Sequence, residues 1–158
     1  MPLHDFPPLA PLTVDPSWVI VIVRSVWYGD CTQALSNDAV ATLVALGIPR
    51  ENIRCIDVSG SYEIPLVCRT ALDHGADGAL AFGIVMQGDT EHAHHVTAAV
   101  AHGIMDVQLT CQKPVLFEVL HVRSKSDADA RAVGPGAKGP FAARALLHSL
   151  ATLAKMRS

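Results

Sequence analysis

The chain has 158 residues, a usual size for one compact domain. Half of them are hydrophobic and mean hydropathy is +0.31, which excludes a disordered segment. The formal net charge is −3 and the lysines and arginines are scattered singly, so neither the basic stripe of a nucleic-acid binder nor a polybasic membrane patch is present.

Residues 1–17 read as an extended arm, because five of the first sixteen are proline. They lack the basic start and apolar run of a secretory signal. Residues 18–26 (WVIVIVRSV) are β-branched and almost continuously apolar, as in a strand buried on both faces. The longest apolar run, 18–23, has six residues, against about 20 for a membrane span. Leu35, Ala39, Leu43 and Leu46 set a helical spacing over 31–46, which Gly47 ends. Residues 53–58 predict a second strand and 59–61 a tight turn. Residues 62–74 predict a helix that tolerates Pro65 in its first turn.

A third strand is predicted over 78–85, a long alanine-rich helix over 89–110 and a fourth strand over 114–120. A short helix at 126–133, a glycine-rich break (GPGAKGP) and a final helix at 141–156 complete the chain. Strands alternating with helices imply βαβ units: one α/β domain over 18–158, with a four-stranded parallel sheet covered by helices on both faces. The four cysteines, Cys31, Cys55, Cys68 and Cys111, form no C-x-x-C pair and sit in apolar stretches. They read as small buried hydrophobes in a reducing, cytoplasmic compartment.

Ligands of such sheets bind outside the carboxyl ends of the strands. Here those ends are 25–28, 59–63, 84–88 and 120–121, which one crevice can bring together. Gly88-Asp89-Thr90-Glu91-His92 is the most informative stretch. A glycine turn running into a helix presents unpaired N–H groups that can cradle a phosphate, yet from this stretch alone Asp89 and Thr90 read more simply as ordinary helix caps. A histidine in the first turn beside a phosphate suits proton transfer. His92 and His95 are three apart on a helix, but no third ligand stands at a recognisable spacing, so no metal is expected. Gly134, Gly136 and Gly139 spell G-x-G-x-x-G, but after a helix rather than a strand, so no dinucleotide site is expected either. That segment reads as a flexible break carrying Lys138.

Three segments together resemble the lumazine synthase family. They are VSGSYEIP at 58–65, GIVMQGDTEH at 83–92, and PVLF at 114–117 followed by Ala130-Arg131-Ala132 and Lys138-Gly139. The resemblance runs from about Trp18 to the C-terminus. It implies a flavodoxin-like three-layer fold and no cofactor. It also implies condensation of 5-amino-6-(ribitylamino)uracil with 3,4-dihydroxy-2-butanone 4-phosphate to 6,7-dimethyl-8-ribityllumazine.

By that resemblance His92 shuttles protons, and Gly88, Asp89, Thr90 and Arg131 bind the phosphate. Trp27 stacks on the pyrimidine. Gly60, Ser61, Tyr62 and Glu63 hold the ribityl chain and ring. Ile84, Val85 and Met86 line the ring, the last two through their backbone. Phe117, Arg131 and Lys138 come from a neighbouring subunit of a pentamer or a multiple of pentamers. The chain departs from the family pattern at Ser59 (usually proline), Gln87 (usually basic), Asp89 (usually small and neutral) and Glu118 (usually glycine). Asp89 sets a carboxylate beside the expected phosphate unless it points outward as a cap. The competing expectation is a non-catalytic relative that binds flavin or lumazine, or forms a scaffold.

Overall fold

The computed structural model describes residues 12–158. Of the proline-rich arm, residues 1–11 lie outside that range. Leu12 and Val14 pack on the core, and Asn52 Nδ2 donates to Pro16 O at 3.0 Å, so residues 12–16 are docked.

Four parallel strands, β1 (Ile20–Ser25), β2 (Ile53–Val58), β3 (Gly78–Met86) and β4 (Val115–Val122), lie in the order β2-β1-β3-β4. Five helices connect and follow them: α1 (Gly29–Ala45), α2 (Ile64–Asp73), α3 (His92–Cys111), α4 (Lys125–Ala132) and α5 (Lys138–Arg157). This is the three-layer, flavodoxin-like arrangement expected. Successive side chains of the central strands point to opposite layers. Ile20, Ile22, Leu80 and Phe82 join α1 and α5 in one core, while Val21, Val23, Ala79 and Ala81 join α2 and α3 in the other. Two-sided burial is why β1 reads as an unbroken apolar run.

Three expectations need correction. Cys31 and Cys68 are buried, but Cys55 is exposed: β2 is an edge strand, and only its two ends, Ile53 and Val58, are buried. Burial pushes the Cys68 thiol up to about 12, which keeps it inert. The long helix begins at His92, three residues later than expected.

The glycine-rich break is confined to residues 133–137, and α5 starts at Lys138, so Gly139 and Pro140 lie inside its first turn. Proline costs nothing there, because its missing N–H has no partner in a first turn. Gly139 is demanded by packing: a Cβ at this position would collide with the Leu35 carbonyl oxygen of α1 and crowd the Asp38 side chain. Gly139→Ala therefore lowers stability by ~2 kcal/mol, read as an earlier urea midpoint at fixed protein concentration. An unchanged midpoint would show that the two helices tolerate separation.

Candidate active site

The chain passes from β1 outward to β2, then back across β1 to β3 and β4, so the connections diverge between β1 and β3. At such a switch point a crevice opens at the carboxyl ends of the strands. A cleft of about 600 Å³ lies there. Ser25, Trp27 and Tyr28 wall it after β1, and Gly60, Ser61 and Tyr62 after β2. Ile84, Val85 and Met86 form its floor at the end of β3, and His92, Ala93 and Val96 of α3 close the far side.

The turn after β1 is tightly bonded. Val26 N donates to Val58 O at 3.0 Å and Trp27 N to Ser25 Oγ at 3.2 Å. Thr32 Oγ1 donates to Ser25 O at 2.9 Å. Tyr28 takes a left-handed conformation, φ 55° and ψ 47°, unusual for a bulky residue. Its carbonyl oxygen accepts from Cys31 N and Thr32 N, which holds it there and starts α1. The Trp27 side chain is left 67% exposed and Tyr62, after neighbouring β2, 65%. Two aromatic faces at a cleft mouth suit a planar heterocycle.

Glycine allows two close approaches. A Cβ on Gly83 would collide with Ser61 Oγ, so Ser61 lies flat against β3. A Cβ on Gly60 would meet Glu63 Oε2 at 2.9 Å and Trp27 Cδ1 at 3.9 Å. The Glu63 carboxylate thus lies across Gly60, beside the indole, as a hydrogen-bond acceptor at the cleft edge.

His92 is the first residue of α3 and is exposed at the rim. His95 N donates to Glu91 O, the first bond of the helical ladder, so the N–H groups of Ala93 and His94 have no intrahelical partner. The run of unpaired helix N–H groups therefore begins after Glu91, not at Gly88. Glu91 is the N-cap, and Thr90 Oγ1 accepts a long bond, 3.4 Å, from His92 N. Asp89 makes no cap bond, and Gly88, Asp89 and Thr90 are exposed outside the cleft wall of this chain. The end of β4 also stays out of the cleft. His121 Nε2 pairs instead with Gln87 Oε1 at 2.6 Å, and Gln87 N donates to Val122 O at 2.7 Å.

Phe117, Arg131 and Lys138 do not line this chain's own cleft. Phe117 is 37% exposed on the face of β4 that carries Val115 and Val119. Arg131 is exposed near the end of α4, and its Nη1 donates to Asp127 O at 3.0 Å. Lys138 Nζ stands 5.5 Å from the centre of the Phe141 ring. Ser25 and Tyr28 line the cleft as part of the expected strand end, and Ala93 and Val96 line it without having been singled out. Val96 follows His92 by four residues, a helical-face signal that could have found it.

Among the described residues, Asp30, Cys31 and Asp129 bring ligand-type atoms within 4.8 Å of one another. The Lys125 ammonium already bonds both carboxylates, which leaves no gap for a cation. A groove of about 740 Å³ at the opposite end of the sheet lies between the end of α3 and the second half of α5, where no strand carboxyl end opens.

Residues 17–154 match the family model described as 6,7-dimethyl-8-ribityllumazine synthase. A protein of that name from Xylella fastidiosa (strain M12) is 39% identical over 138 residues, covering 86% of this chain and 90% of its own. Another so named, from Xanthomonas campestris pv. campestris (strain B100), is 40% identical over 130 residues, 81% of this chain and 84% of its own. A third, from Clavibacter michiganensis subsp. michiganensis (strain NCPPB 382), is 31% identical over 156 residues, 98% and 96% respectively. With the switch-point cleft and the histidine at its rim, this agreement over nearly the full length means that the chain belongs to the 6,7-dimethyl-8-ribityllumazine synthase family.

Proposed function

We propose that the chain condenses 5-amino-6-(ribitylamino)uracil with 3,4-dihydroxy-2-butanone 4-phosphate to 6,7-dimethyl-8-ribityllumazine, a step of riboflavin biosynthesis. The observation that carries this reading is the cleft itself. It sets an aromatic wall, a strand-end floor and His92 around one cavity. The pyrimidine stacks on Trp27, over the backbone of Val85 and Met86 with Ile84 beneath. Its ribityl hydroxyls reach Ser61, Tyr62 and the Glu63 carboxylate across Gly60.

The pyrimidine's primary amine attacks the ketone, and an imine forms with loss of one water. Removal of a proton from the sugar-derived carbon expels phosphate. The ribityl nitrogen then closes the ring, with loss of a second water. His92 stands where it can take and return protons, and the α3 N-terminus draws the phosphate towards it. Gly88, Asp89 and Thr90 edge that end, and Arg131 and Lys138 of an adjoining copy supply positive charge, with Phe117 covering the ring. Leu66, Met105 and Leu109 expose apolar side chains on the α2–α3 side, which supports assembly into a pentamer or a multiple of pentamers. We place the reaction in the cytoplasm, where free thiols such as Cys31 and Cys68 persist.

Asp89, a carboxylate at the edge of the phosphate end, is the residue that most invites a non-catalytic reading, which the relatives named as synthases do not favour. Turnover tests the proposal. His92→Ala slows lumazine formation ~10²-fold or less, the scale of general acid–base help, because the condensation also proceeds unaided. An unchanged rate would remove His92 from the mechanism.

A further inference from the structure

Just behind the cleft turn, two helices meet at one lysine. Lys125 opens α4, and its Nζ donates to Asp30 Oδ2 at 2.7 Å and to Asp129 Oδ1. Cys31 Sγ donates to the same Asp129 oxygen at 3.3 Å. Asp30 and Cys31 form the first turn of α1, directly after Trp27 and Tyr28. Asp129 lies one turn along α4 from Lys125, and Arg131 follows two residues later. One ammonium thus ties the start of α1, which follows the cleft turn, to the short helix that presents Arg131.

The tie has reason to matter. α4 has only eight residues and a largely polar sequence, KSDADARA. Ala128 and Ala132 are its buried residues, too little apolar surface to fix its orientation alone. Exposed ion pairs taken singly contribute little, but here one cation serves two carboxylates from different helices. Both aspartates are held below the usual carboxylate range, chiefly by Lys125, and the lysine is raised in turn by Asp129 and Asp30. Without the ammonium, two like charges would face each other and push α4 away from α1.

We propose that Lys125 is a positioning residue: held between Asp30 and Asp129, it fixes α4 against the start of α1 and so sets how Arg131 meets the phosphate of the substrate. The proposal rests on the lumazine synthase reading. It links the cleft of one copy, through Trp27, to the phosphate side of the adjoining copy's cleft.

Two variants of opposite charge change test it, with Lys125→Arg as the rescue. Lys125→Met removes a positive charge and Asp129→Asn a negative one. A mere field effect on an anionic substrate would raise KM in the first and lower it in the second. Loss of position raises KM for the butanone phosphate in both, by ~5- to 10-fold, with kcat within about twofold. Lys125→Arg keeps the wild-type KM. Cys68, buried away from the tie, stays unreactive to a thiol reagent in all three variants, which certifies the fold. A lowered or unchanged KM in Asp129→Asn, or equal changes in KM and kcat, would overturn the proposal. A wild-type protein that makes no lumazine would instead remove the reading beneath it.

Discussion

Arg131→Ala lowers kcat/KM by ~10²- to 10³-fold, the cost of removing one partner from a desolvated charge pair. The side chain is exposed and, among the described residues, bonds only its own helix through Asp127 O, so its loss does not disturb the fold. On the proposed role the effect falls on the phosphorylated substrate, whose negative charge a guanidinium can match in a bidentate manner. Mixing then locates the residue. Arg131→Ala and His92→Ala proteins, unfolded and refolded together, form assemblies in which some neighbours pair an intact His92 with an intact Arg131. Activity recovers if the two residues meet across subunits. No recovery would place them in the same chain's site, and an unchanged kcat/KM in Arg131→Ala would remove this residue from phosphate binding.

Glu118→Gln stabilises the protein above neutral pH. Glu118 is 9% exposed on the α4–α5 side of edge strand β4, between Leu116 and Leu120 and opposite Phe82 of β3. Burial pushes its carboxyl up to about 7 from 4.5, an effect that Lys138 partly offsets. The folded state therefore binds this proton more tightly than the unfolded chain. The associated stability is intact below about pH 4.5 and is lost as pH rises through about 7. The ionised fold is then less stable by ~3 kcal/mol, which glutamine avoids. Urea midpoints at one protein concentration should coincide near pH 4.5 and separate by pH 8.5, with Glu118→Gln the more stable. Parallel curves across that range would show that the carboxyl finds a partner in the assembled protein.

Much of the architecture is legible in local pattern. The apolar run of β1 announces two-sided burial, and Gly47, with φ 110°, ends the first helix as its position predicts. Two of the failures share one cause, a deciding feature distant in sequence; the third is local. Gly139 and Pro140 look like breakers, yet the glycine is there for a carbonyl of α1 about a hundred residues earlier. Cys55 lies mid-strand, and only the strand order reveals that β2 is an edge whose middle stays uncovered. Asp89 looks like a helix start, but the helix begins at His92, past Thr90, whose side chain bonds the first helical N–H. For the site, the strand ends and the histidine are readable because topology brings them together. The Lys125 tie is not, since it spans 95 positions and no motif marks it.

Turnover tests the proposed reaction most directly. The assembled wild-type protein is incubated with both substrates, and lumazine fluorescence is followed against the same mixture without protein. Product should form well above the spontaneous rate, with one phosphate released per lumazine. A rate equal to that of the protein-free mixture, from a folded assembly, would contradict the proposal that this cleft makes lumazine.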